Sequence, residues 1–242
     1  MLKRSPSLTE QTKSYIKQRI INDEFEEGRI PSETSLAEEL GVSRTTIRDA
    51  LSRLELEGTI YRKQGAGTFV NEASLRIRTR MEEIWTYEAM LEAHGYSPST
   101  KIIDVETELA SRKLATELNI SPKSEMLVVK KLFLADDQPV IFVENRIPTN
   151  LLTTPYTPKT FRAPMYQVLA DLAQQHLAYY ISEIVPLVPE KWLREVLALK
   201  SGGAILSFDE VGYNQENQPI IKSQSYFKDS LLRLRLLRRE AI

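Results

Sequence analysis

Between Leu8 and Asp23 the apolar residues Tyr15, Ile16, Ile20 and Ile21 fall on one stripe, while Lys13, Lys17 and Gln18 fall off it. That period of about 3.6 residues predicts a helix packed on one side. Ser7, with Glu10 three residues on, has capping-box spacing at its start. Glu-Glu-Gly-Arg-Ile-Pro breaks the pattern. Ser32 can then cap a second helix with Leu36, Ala37 and Leu40 on one side, Gly41-Val42 ends it, and Ser43 can cap a third. This third helix, Arg44 to Glu57, places Ile47, Ala50, Leu51 and Leu54 at i, i+3, i+4 and i+7, and Gly58 stops it. Thr59 to Arg62 and Thr68 to Val70 are short β-rich runs flanking Lys63-Gln64-Gly65-Ala66-Gly67, a hairpin with a glycine-rich tip.

After Val70 the pattern changes. Asn71 to Arg80 lacks apolar periodicity and is expected to be a linker, and Met81 to Ala93 a helix ending at Gly95. Lys101 to Val105, Met126 to Ala135, Val140 to Ile147, Tyr179 to Val188, Ala204 to Tyr213, Pro219 to Phe227 and Leu232 to Leu236 are β-branched, aromatic or alternating, hence strands. Leu109 to Leu118, Pro164 to Gln175 and Pro189 to Ala198 have helical spacing. Turns at 136–139 and 214–218 join neighbouring strands. The expected organisation is a helix-turn-helix unit with a β wing over 1–70, a linker over 71–80, and an α+β domain around an antiparallel sheet over 81–242.

Composition adds exclusions. Lys+Arg 32 against Asp+Glu 33 leaves a net charge of -1, so any charged partner must be met by a local patch. From Ser43 to Lys63, five basic residues (Arg44, Arg48, Arg53, Arg62, Lys63) face three acidic ones (Asp49, Glu55, Glu57). The absence of cysteine removes disulfides, thiolate nucleophiles and cysteine metal sites. No apolar run approaches the about 18 residues of a membrane span, so a cytoplasmic protein without a membrane partner is expected.

The front of the third helix, Ser43, Arg44, Thr45, Thr46 and Arg48, concentrates guanidiniums and hydroxyls. In a helix-turn-helix this end enters the major groove, where arginine bonds guanine bidentately and hydroxyls reach phosphates. A glycine-rich tip lets backbone approach a phosphate rail closely.

Ile30-Pro31-Ser32-Glu33, the run Leu36 to Arg48, and Gln64 to Val70 closely resemble the winged helix of GntR-family bacterial transcription regulators, over about residues 8 to 70. The resemblance implies base reading by Arg44 and Arg48, phosphate contacts from Ser43, Thr45 and Thr46, and minor-groove or phosphate approach by the tip from Gly65 to Gly67; Ser32 is a further candidate DNA contact, and Arg62 or Lys63 supplies charge beside the tip. Thr34 departs from the arginine usual in the family. Leu134-Ala135-Asp136, Gln138-Pro139-Val140, Glu144 to Pro148, Met165 to Leu169 and Gln218-Pro219-Ile220 are similar, in order, to the UTRA effector-binding domain of the HutC subfamily, whose fold resembles chorismate lyase. This second resemblance implies a small-molecule effector, of the class of sugar phosphates or other anionic metabolites, met by Lys131, Glu144 and Tyr166; Phe133 lines the same expected site as a departure from the family, and Arg146, Arg162, Lys222 and Tyr226 can compensate. Phe133, Pro164 and Ile221 replace residues that are usually polar. The expected partners are the effector, a second copy of the chain, and near-palindromic double-stranded operator DNA.

A lyase-like fold raises an enzyme as the alternative, but the sequence offers no constellation of nucleophile, base and orienter. His94 and His176 have no partner at metal-ligand spacing, and no cofactor or metal is expected. A DNA-binding protein without an effector would leave the second domain idle.

Overall fold

The computed structural model describes residues 6–75, 84, 86–199 and 203–228. The chain divides into two compact units that meet in sequence at Arg80 and Met81.

In the first unit, α1 spans Leu8–Ile21, and Ser7 Oγ accepts from Glu10 N. It ends two residues short of Asp23, because Asp23 takes a positive φ of 57°. The segment expected only to break the pattern holds a 3-10 turn at Glu26–Gly28 and a two-residue strand, β1, Arg29–Ile30. Helix α2 (Glu33–Leu40) is capped by Ser32 and stopped by Gly41 in the left-handed region. Helix α3 (Arg44–Leu56) is capped by Ser43. Strands β2 (Ile60–Lys63) and β3 (Gly67–Val70) form the wing, and β1 pairs on the outer side of β3, Arg29 opposite Phe69. Ile16, Ile20, Phe25, Ile30, Leu36, Ile47, Leu51, Leu54 and Ile60 are the buried core of this unit. Part of the expected linker is instead a helical turn, α4, Glu72–Leu75; residues 76–80 lie outside the described residues.

The second unit is built on a six-stranded antiparallel sheet in the order β4-β5-β6-β9-β8-β7. Its first described helix, α5, is Tyr87–Ala93. Thr86 is extended and its hydroxyl caps Ala89 N, so the helix begins later than the expected Met81, and 81–83 and 85 lie outside the described residues. The sheet comprises β4 (Pro98–Leu109), β5 (Glu125–Ala135), β6 (Gln138–Pro148), β7 (Leu177–Leu187), β8 (Ile205–Asn214) and β9 (Pro219–Phe227). Helices α6 (Arg112–Glu117), α7 (Met165–Ala173) and α8 (Lys191–Val196) connect them. Leu109 belongs to β4 rather than to α6, because Ser111 caps α6 three residues later than its apolar spacing suggested. The strand expected at Leu232 to Leu236 lies outside the described residues.

Strand alternation gives the sheet two covered faces. On one, Phe133, Val143, Phe208 and Phe227 pack with Met90 and Leu91 of α5, and Leu127 and Val129 pack with Val168 and Leu172 of α7. On the other, Met126 packs with Leu114 and Leu118, and Leu132, Phe142 and Tyr226 pack with Leu193 of α8 and Leu197 just beyond it. Among the described residues no helix is long and apolar enough to cross a membrane.

Candidate DNA interface and effector site

The buried side of α3 is Ile47, Ala50, Leu51 and Leu54, which leaves Arg44, Thr45 and Arg48 exposed. Three of the four candidate hydroxyls, those of Ser32, Ser43 and Thr46, are already engaged. Ser43 Oγ accepts from Thr46 N (3.1 Å) and shares a hydrogen bond with Thr46 Oγ1 (2.8 Å), fixing the first turn of the helix. Ser32 Oγ likewise accepts from Ser35 N (3.1 Å).

The cations of this unit sort into two groups. Lys13 pairs with Glu10 and Glu57, Arg19 with Glu24 and Glu39, and Arg53 with Glu10. Hydrogen bonding between Lys13 and Glu10 pulls the Glu10 carboxyl below its ordinary range and the Lys13 ammonium above its own. Arg62, taken from the sequence as a source of charge beside the wing tip, lies 3.4 Å from Glu55 and 3.8 Å from Glu33. Among the described residues Arg29, Arg44, Arg48 and Lys63 make no ion pair, and of these Arg29 donates to Ala66 O while the other three are left without an acid. These three cations sit at the front of α3 and at the end of β2, where the wing turns.

Gly65 and Gly67 hold φ of 75° and 121°, a conformation that side chains oppose. Beside them Arg29, which no sequence pattern singled out, sends Nη2 to Ala66 O (3.2 Å) and braces the tip from β1. Tyr61 and Phe69 stack across the hairpin with ring centroids 5.7 Å apart.

The effector candidates do not assemble into one site. Lys131 and Phe133 lie on the α5/α7 face. Glu144, Arg146, Lys222 and Tyr226 lie on the opposite face, because Lys130, not Lys131, stands opposite Glu144 in the register of β5 with β6. There Arg146 donates to Glu108 (2.7 Å) and Glu144 (3.2 Å), and Lys222 pairs with Glu117 (3.2 Å) and Asp209. Tyr226 stacks on Phe142 and meets Trp192 edge-on, and burial pushes its hydroxyl up to about 12. These four serve a cross-strand charge ladder and an aromatic cluster.

On the first face Lys131 is 2% exposed and its Nζ donates to Ala163 O (2.7 Å), two residues before α7 begins. Burial pushes this ammonium down to about 8, against a partial recovery from Glu88. Pro164 is the N-cap of α7 and offers no side-chain hydrogen bond, and Tyr166 stands exposed in the first turn. Phe133 packs edge-on to Tyr87 at 4.9 Å. A polar set missed by sequence reasoning lies on the same face: Tyr87 with Ser225, and Ser223 donating to Asn145 Oδ1 (2.9 Å). Asn145 Nδ2 is buried without a partner. The available signal was Ser223-Gln224-Ser225, two small polar residues on one face of an otherwise apolar strand. Burial raises the Tyr87 and Tyr180 hydroxyls, which keeps both protonated.

His94 Nδ1 hydrogen-bonds Met90 O at the end of α5, and His176 is exposed. Among the described residues no group of three or more histidines or carboxylates is placed to hold a metal.

An exposed, partly cationic helix front beside a braced wing, joined in one chain to a two-faced antiparallel sheet, defines a winged-helix regulator class. Residues 8–70 match the bacterial regulatory proteins of the gntR family and residues 93–233 match the UTRA domain. The chain belongs to the gntR family in its UTRA-bearing form and is a DNA-binding transcription regulator, not an enzyme. It is 28% identical over 225 residues to the uncharacterized HTH-type transcriptional regulator YurK of Bacillus subtilis, covering 86% of this chain and 88% of that one. It is 25% identical over 221 residues to the HTH-type transcriptional repressor NagR of the same organism, covering 91% and 88%. The fold is shared with the crystal structure of the possible regulator YydK from Bacillus subtilis, with a TM-score of 0.73, 16% identity, and 95% and 99% of the two chains covered.

Proposed function

We propose that this regulator is a repressor that binds a near-palindromic operator as a homodimer, and that a small anionic metabolite bound at Lys131 and the start of α7 sets its operator affinity. The observation that carries the DNA half is the partition of charge. Lys13, Lys17, Arg19, Arg53 and Arg62 pair with neighbouring acids and Arg29 is held at the wing tip by Ala66 O, whereas Arg44, Arg48 and Lys63 have no acid partner and are open to phosphates and bases. One winged helix reads a few base pairs, so two copies on related half-sites supply operator specificity. The repressor sense rests on NagR, which is named a transcriptional repressor.

For the effector half, the ammonium of Lys131 faces the positive end of the α7 dipole with one carbonyl as its acceptor. An anion there would satisfy both the lysine and the uncapped backbone N–H groups of α7. Phe133, Pro164 and Ile221 make the surroundings apolar, which favours a single charged group on a largely uncharged body. Such a ligand changes operator affinity by its differential affinity for the two DNA-binding states of the dimer.

The test is direct. Operator sequences are selected from random DNA, and binding of the wild type and of Arg48→Ala is then measured by anisotropy on the selected and a scrambled duplex. The variant is expected to lose at least about 1 kcal/mol of discrimination between them. Equal weakening on both duplexes would move Arg48 to the phosphates. A thermal-shift screen of sugar phosphates, carboxylates and amino acids addresses the effector: an anionic compound should raise the midpoint of the wild type and not of Lys131→Met.

A further inference from the structure

Three acids lie between the start of α3 and the wing: Asp49, Glu55 and Glu57. Two of them hold the winged helix together. Glu55 meets Arg62 of β2 (3.4 Å), and Glu57 meets Lys13 (2.9 Å) and Lys17 (3.5 Å) of α1. Asp49 has no such task. It is exposed, and among the described residues it makes no ion pair and no side-chain hydrogen bond, although α3 sets two guanidiniums near it. Arg53 stands at the i+4 position that suits an acid-to-base pair on a helix, yet it is turned to Glu10 (2.8 Å); Arg48, the neighbouring residue, is unpaired.

The position of this free carboxylate is what makes it informative. With Ile47, Ala50, Leu51 and Leu54 on the buried side, steps of about 100° per residue put Thr45, Asp49 and Ser52 on the side away from the core, with Arg48 on its flank. Five residues beyond Arg44, Asp49 lies about 7.5 Å along the axis, within the about 12 Å width of a major groove entered by the front of α3. The cations of this face, Arg44 and Arg48, are left without acids, as suits a surface that meets phosphates. A lone carboxylate among them is repelled by every duplex alike, unless a base edge offers it a donor.

We propose that Asp49 is a specificity-determining residue of the operator complex, accepting a hydrogen bond from the exocyclic amine of a cytosine next to the base pair met by Arg48. The proposal rests on the reading of α3 as the groove helix with Arg48 at the base edges, and adds a second reader to it. An ionised carboxylate can only accept. In the major groove guanine shows two acceptors, thymine an acceptor and a methyl group, and adenine an amine beside the acceptor N7. Cytosine alone shows a donor with no acceptor of its own. The same carboxylate therefore favours one base by a hydrogen bond and disfavours the others by repulsion, and discrimination draws on both. Arg48 and Asp49 divide the work by chemistry: the guanidinium gives two donors to guanine, and the carboxylate takes one from cytosine.

Operators are selected from random duplexes with the full-length wild type, Asp49→Ala, Asp49→Asn and Arg48→Ala. Anisotropy then gives affinities for the selected duplex, for its single-pair substitutions and for a scrambled duplex. The wild type should select a cytosine in each half-site and prefer it by about 5-fold or more over the other bases. In Asp49→Ala that preference should vanish at this one position, while affinity for the scrambled duplex rises. Asp49→Asn should move the preference toward adenine, whose N6 and N7 an amide meets together. Asp49 has no partner within the chain to lose, so circular dichroism and the thermal midpoint should match the wild type in both variants. Asp49 variants that keep the wild-type preference at every position overturn the assignment, whether they bind all duplexes more tightly or more weakly. If Arg48→Ala relaxes a position in that same selection, only the Asp49 assignment falls; if neither residue moves any position, base reading by the front of α3 falls with it.

Discussion

The ammonium of Lys131 donates to Ala163 O at the start of α7, the end of a helix that favours anions. Burial is the main reason that its pKa falls to about 8, and the sign of the consequence follows from linkage. Below about 8 both folded and unfolded chains hold the proton, and the folded chain bears the whole burial penalty. Between about 8 and the ordinary 10.5 the folded chain releases it first, so the unfolded state binds more protons and stability rises with pH. Above 10.5 the penalty is gone. Lys131→Met is therefore expected to stabilise the second unit at pH 7 by about 1–3 kcal/mol, with the difference from wild type closing between about pH 8 and 10.5. Urea unfolding at several pH values measures it, and a pH-independent difference would show that packing, not charge, sets the effect. Keeping so costly a lysine is understandable where a bound anion offsets the burial penalty of its charge.

At the scale of elements, capping was legible because it is local: a serine, three residues and a backbone N–H suffice, and Ser7, Ser32 and Ser43 all sit where the sequence put them. Ser43 has a double bearing, since its hydroxyl both fixes the first turn of α3 and stands at the presumed DNA side. Ser43→Ala is expected to destabilise the winged helix by about 1 kcal/mol and Ser43→Gly by only a few tenths. If operator binding falls equally in both while only alanine lowers stability, the hydroxyl contacts DNA. What was not legible depends on partners far along the chain. Strand β1 exists only because Arg29 and Ile30 meet Phe69 and Thr68, some forty residues away. The effector candidates divide between two faces for the same reason. Facing in a sheet is decided by register, and matching residues one at a time placed Glu144 beside Lys131 when Val143 occupies that place. Packing also governs Gly212, where an added Cβ would come within 2.6 Å of Ile221 and 2.8 Å of Tyr180.

For the whole molecule, a net charge of -1 means that little general attraction draws the chain to DNA, so affinity must come from a few local cations. Lys63 is one of them, at the turn of the wing. Lys63→Ala is expected to weaken binding to all sequences alike and to reduce the slope of log affinity against log salt by about 1 per site contacted. An unchanged slope would remove Lys63 from the interface. The order of the two folds was readable because each has its own periodicity, helical up to Glu57 and mostly two-residue after Lys101. How their cations and acids pair was not, because ion pairs join residues such as Arg53 and Glu10 that sequence order keeps apart.

The brace from Arg29 to Ala66 O bears on how recognition can be exchanged between regulators of this build. A transplant that moves only α3 and the hairpin, residues 43–70, would leave behind the third strand and the guanidinium that holds the glycine tip. The transferable reading unit is discontinuous: it includes residues 29–30, and a chimera lacking them would carry the donor's recognition residues on a wing without its support.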